Sequence, residues 1–84
     1  MAKKHHRTKD ENFIMSLYEE AEKTGALENP VDRYLAGMAA HISPKGVDTI
    51  CKLLLQANFI KKENESEVYL TPHGIKLVEK LRLE

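Results

Sequence analysis

The alternation of apolar and polar positions divides this chain into four helical stretches and one hairpin. The most sharply marked stretch is residues 42–56, ISPKGVDTICKLLLQ. Val47, Ile50, Cys51 and Leu54 recur at i, i+3, i+4 and i+7, which predicts one buried face of a helix. Ser43 is placed to cap that helix, because its hydroxyl can accept from an unpaired first-turn amide. Pro44 follows at the first helical position, where a missing N–H is harmless. Ile42 and Val47 have the spacing of a hydrophobic staple across the start. Lys45, Thr49, Lys52 and Gln56 recur at steps of four, three and four. They predict a second, polar stripe facing away from the core.

The same reading runs along the rest of the chain. Thr8 and Glu11 have capping-box spacing, so a first helix should begin at Thr8. Phe13, Ile14, Leu17, Tyr18 and Ala21 make its apolar face. Asp10, Glu11, Glu19, Glu20 and Glu22 make the opposite face acidic. Glu19 and Lys23 are spaced as a favourable i, i+4 pair, and Gly25 suits the residue just past the helix end. A second helix is predicted with Asn29 as cap, Pro30 at the first position and Asp32 in the first turn. Its apolar face is Val31, Tyr34, Leu35 and Met38. Ala36, Gly37, Ala39 and Ala40 are small enough to admit a close neighbour. The helix should stop near Ala40 or His41, which leaves about three residues before the helix of 43–56. Two short amphipathic helices so closely joined fit a helix-turn-helix, and an ordinary helical hairpin is the competing reading.

Asn58 can end that third helix in a left-handed conformation. Residues 59–62 then read as a short strand, 63–66 (ENES) as a turn, and 67–71 as a second strand. Thr71 and Pro72 restart a helix with the same cap chemistry as Ser43 and Pro44. Ile75, Leu77, Val78, Leu81 and Leu83 give this fourth helix a wide apolar face. Leu77, Leu81 and Leu83 are candidates for a homodimer interface. The competing reading is that this face covers the first two helices within one chain.

Composition adjusts the picture in three ways. A length of 84 residues predicts one domain, read as a basic arm over 1–7 without order and a folded unit over 8–84. Formal net charge is zero, from 13 basic and 13 acidic residues, whereas a dedicated nucleic-acid coat would be far more basic. The charge is unevenly spread. Lys3, Lys4, Arg7 and Lys9 give residues 1–9 a charge of +4, while six acids against Lys23 give residues 10–28 a charge of −5. The single cysteine, Cys51, cannot form an internal disulfide, which fits a reducing compartment and a small core residue. No apolar run reaches membrane-spanning length, and the basic start is followed by DEN rather than an apolar segment, so a cytoplasmic protein is expected.

No catalytic constellation stands out. The sequence has no Gly-rich phosphate loop and no Ser/His/Asp or Cys/His pattern, so an enzyme is not expected. No C-x-x-C or H-x-x-x-H spacing occurs, so neither a metal nor another cofactor is expected. His5 and His6 are adjacent, which makes a poor ligand set.

The order helix, helix, tight turn, helix, hairpin, helix resembles the winged-helix domain. The fold class expected is thus mainly α with a small β-hairpin, a winged helix-turn-helix. The segment FIKKENESEVYLTPHGIKL, residues 59–77, is similar to the wing and exit helix of bacterial regulators of the MarR and PadR kinds. Tyr69-Leu70-Thr71-Pro72-His73-Gly74 stands where those families carry a Y-x-L-T-x-x-G-like wing closure. The resemblance implies a recognition helix laid in the major groove, here residues 43–57, and a wing near the phosphate backbone, here the hairpin of 59–71. It implies a small DNA-binding transcriptional regulator. Lys45 and Lys52 would meet phosphate or guanine, and Thr49 and Gln56 base edges. Ser43 and the helix N-terminus could hold a phosphate. Lys61 and Lys62 on the wing, with Lys3, Lys4 and Arg7 on the arm, would follow the backbone. One feature departs from a DNA-binding wing: Glu63, Glu65 and Glu67 outnumber Lys61 and Lys62. A winged-helix module for protein–protein interaction without DNA binding is therefore the alternative.

Overall fold

The computed structural model describes residues 7–84, so the expectations for Lys3, Lys4 and the His5–His6 pair lie outside the described residues. Thr8 opens the first helix, α1 (Lys9–Lys23), with the expected capping box: its hydroxyl accepts from the Glu11 amide, and the Glu11 carboxylate accepts from the Thr8 amide. The acids of the first turn favour the positive end of the helix dipole. Phe13, Ile14 and Leu17 are fully buried, with Tyr18 and Ala21 beside them. Helix α1 is the hub of the core and touches every other helix. Thr24 closes it and Gly25 takes φ 105°, which a residue with a side chain would resist. Lys23 pairs with Glu20 at 3.2 Å rather than with Glu19.

The second helix begins three residues later than the sequence pattern implies. Asn29 does not cap it; its side-chain amide donates to Thr24 Oγ1 instead. Val31 and Asp32 form a short strand, β1 (Val31–Asp32), and Asp32 is the cap, accepting from the Tyr34 and Leu35 amides. The reason is that an extended Val31 can both bury its side chain and join a sheet, opposite Val68. The result is a seven-residue helix, α2 (Arg33–Ala39).

Its buried face also differs. Ala36 and Gly37 face the core, while Leu35 is 50% and Met38 69% exposed. The small residues allow the next helix to come close. A Cβ on Gly37 would stand 2.2 Å from Val47 Cγ2. Ser16 of α1 reaches over to donate to the Ala36 carbonyl at 2.8 Å.

The turn after α2 is a Schellman motif. His41 takes φ 60°, its amide donates to the Met38 carbonyl, and the Ile42 amide donates to Gly37. Ser43 and Pro44 then start α3 (Pro44–Gln56), which buries Val47, Ile50, Cys51 and Leu54 as expected. Helix α3 ends in a second Schellman motif, with Asn58 at φ 65° and the Phe59 amide donating to Leu54.

Strand β2 (Ile60–Lys62) and strand β3 (Glu67–Leu70) form the expected hairpin, with Lys61 opposite Tyr69 and Ile60 opposite Leu70. Strand β1 pairs on the other edge of β3, so the sheet is antiparallel with order β1-β3-β2. The molecule is therefore mainly helical with a three-stranded sheet, one strand more than the sequence pattern implies.

Thr71 caps the last helix, α4 (Pro72–Leu83), and its hydroxyl also donates to the Asn58 carbonyl at 2.7 Å. Gly74 is required by a close approach, since a Cβ there would lie 2.0 Å from the Phe59 carbonyl oxygen. Val78 and Leu81 pack into the core and cover α1. No helix among the described residues is long and apolar enough to cross a membrane.

Candidate functional site

Helix α3 carries the candidate site on the face opposite its buried one. Lys45, Thr49, Lys52 and Gln56 are all exposed there. The sole ion pair among the described residues is Lys23–Glu20, so neither lysine of α3 is engaged in one. Thr49 Oγ1 donates to the Lys45 carbonyl at 3.3 Å, a weak bond that a stronger external acceptor can replace. The Ser43 hydroxyl is engaged as the cap, accepting from the Gly46 amide at 3.2 Å. Lys61 and Lys62 are exposed on β2, near the hairpin.

Two groups of expected site residues are not where the sequence reading puts them. Arg7 is no part of a free arm. It is half-buried, and its guanidinium donates at 2.8 Å to the Leu81 carbonyl, which also accepts from the Glu84 amide at the end of α4. The expected interface residues Leu77, Leu81 and Leu83 do not share one exposed surface. Leu81 is 5% exposed within the chain's own core, Leu77 is half-buried, and Leu83 is 88% exposed. The reason is that α4 presents Val78 and Leu81 to α1, leaving its far end unsupported. On α2, Ala36 and Gly37 are buried, and the exposed apolar side chains beside them are Leu35 and Met38.

One exposed polar residue beside the stripe escapes the sequence reading altogether. Asp48 is exposed on the flank of α3, three residues after Lys45 and four before Lys52. Tyr34 of α2 donates its hydroxyl to Asp48 Oδ1 at 2.6 Å. That bond is the main cause that pushes the Tyr34 phenol above its ordinary 10.0, followed by burial. Behind it, the Arg33 guanidinium lies 5.6 Å from the Tyr34 ring centre and donates to the Glu65 carbonyl in the hairpin turn. The Arg33 amide donates to Ser66 in the same turn at 2.8 Å. A connected set thus runs from the hairpin tip through Arg33 and Tyr34 to the outer flank of α3. The i, i+3 and i+4 spacing to the two lysines marks Asp48 alone, and nothing local in the sequence marks its link to Tyr34.

Cys51 lies beneath this set and is fully buried. Burial pushes its thiol up, and the nearby Arg33 charge opposes that shift. A protonated, enclosed thiol is a poor nucleophile. In the hairpin turn, Asn64 accepts from the Ser66 and Glu67 amides and donates to the Glu67 carboxylate at 2.8 Å. Glu63 and Glu65 stay exposed at the tip. No cluster of three or more metal-ligating side chains occurs among the described residues. Neither a family model, nor a curated protein, nor a solved structure matches this chain.

Proposed function

We propose that this protein is a winged helix-turn-helix that binds double-stranded DNA through the outer face of α3, as a small transcriptional regulator. The observation that carries this reading is the stripe Lys45, Thr49, Lys52 and Gln56. It is exposed along one side of a capped helix, directly after the tight turn from α2. Cations, a hydroxyl and an amide are the groups that meet phosphates and base edges. On this reading Lys61 and Lys62, exposed on β2, are further backbone contacts, and Ser43 with the helix start meets a phosphate. This reading puts the protein in the cytoplasm with the DNA, where a lone thiol stays reduced. A homodimer would set two half-sites about one helical turn apart, with Leu83 and the half-buried Leu77 as the α4 residues left for contact.

The test is fluorescence anisotropy of a labelled random-sequence duplex at several salt concentrations. Affinity should fall steeply with salt, and Lys52→Ala should lower the salt slope by about one. A folded protein that binds no duplex at low salt would overturn this reading. A second reading, a module that binds another protein, is favoured by one observation. Leu35, Met38 and Leu53 are exposed on α2 and α3, while the wing tip carries Glu63 and Glu65.

A further inference from the structure

Asp48 is an odd residue for a surface that meets DNA, since phosphates repel a carboxylate. Its position is nevertheless fixed. The Tyr34 hydroxyl holds Oδ1 at 2.6 Å, and Oδ2 takes no bond from the described residues. Lys45 and Lys52 stand one turn away on either side along α3 and offset its charge against a phosphate backbone. A carboxylate in the major groove can only accept, so its partner must be a base amino group. Cytosine N4 fits best, because its groove neighbour is a C–H. Adenine N6 lies beside N7, an acceptor whose lone pair opposes the carboxylate.

Resting on the DNA-binding reading above, we propose that Asp48, positioned by Tyr34, reads a cytosine in the major groove and so sets the sequence specificity of α3. Tyr34 is a positioning residue here: it touches no base, and it removes the rotational freedom of the Asp48 side chain.

The experiment is selection of bound sites from a randomised duplex pool, with wild-type protein and the variants Asp48→Asn, Asp48→Ala and Tyr34→Phe. Each is first checked for a cooperative thermal melt. Wild-type sites should share a fixed cytosine, and substitution of that base should weaken binding about tenfold. Asp48→Asn should exchange the cytosine for adenine, since an amide pairs with adenine N6 and N7. Asp48→Ala should lose the preference at that position, and binding to random duplex should rise because the carboxylate no longer faces the phosphates. Tyr34→Phe should weaken the preference about threefold, the usual effect of one hydrogen bond. Wild-type protein that binds no random duplex at low salt defeats the DNA reading and this assignment together. Wild-type protein that binds, but selects no fixed cytosine or keeps the same one in Asp48→Asn, defeats the assignment alone.

Discussion

At the scale of single residues, close approach explains more of this molecule than charge does. Gly37 and Gly74 are each needed because a neighbour occupies the space of a Cβ. At Gly74 the neighbour is the Phe59 carbonyl, which belongs to the backbone and cannot rotate away. Gly74→Ala should therefore destabilise the fold by about 1–3 kcal/mol, read as a lowered midpoint in urea unfolding. A midpoint unchanged within error would show that α4 can shift to make room. The same residue bears on how much the sequence disclosed. Thr71 and Gly74 carry the resemblance to wing-closing segments, and both have architectural roles: Thr71 ties the sheet to the end of α3, and Gly74 seats α4. Such residues report on the path of the chain and are silent on what it binds. Asp48 shows the opposite case. Its neighbour Tyr34 is 14 positions away, and no local pattern discloses a hydroxyl aimed at it.

At the scale of elements, helix ends were legible where one cap candidate stood alone and misleading where two competed. Thr8, Ser43 and Thr71 each cap the helix that follows, as their spacing implies. Between α1 and α2 the local spacing points to Asn29 before Pro30, while the cap observed is Asp32. Choosing between them depends on Val31, whose partner Val68 lies on a strand far along the chain. Local pattern contains no term for that pairing, so β1 does not show in it, and of the expected α2 face Val31 is buried and Tyr34 half-buried while Leu35 and Met38 are exposed. The observed cap makes a direct comparison possible. Asp32→Ala should reduce stability by about 1 kcal/mol, whereas Asn29→Ala should change it by about 0.5 kcal/mol or less. Thermal melts of the two variants side by side decide between the two starts. An equal loss, or a larger loss at Asn29, would contradict the cap described above.

At the scale of the whole molecule, one core is assembled around α1, and α4 is part of its cover. That arrangement divides the leucines of α4 into two kinds. Leu81→Glu would bury an unpaired charge, a change in the class that removes more than about 4 kcal/mol. Set against the roughly 5–15 kcal/mol typical of small domains, it should leave a chain with a greatly lowered melting temperature. Leu83→Glu, at an exposed position, should leave the melt within about 0.5 kcal/mol of the parent. Circular dichroism melts would measure both, and a benign Leu81→Glu would mean that α4 does not pack as described. The link from Arg33 to the turn at Glu65 and Ser66 has a consequence in time as well as in shape. One residue belongs to the first turn of α2 and also clasps the hairpin tip, so neither can open without the other. Their amide protons should exchange with solvent at a common rate, as members of one cooperative opening unit. Arg33→Ala should split that rate in two, with the hairpin amides exchanging faster than those of α2.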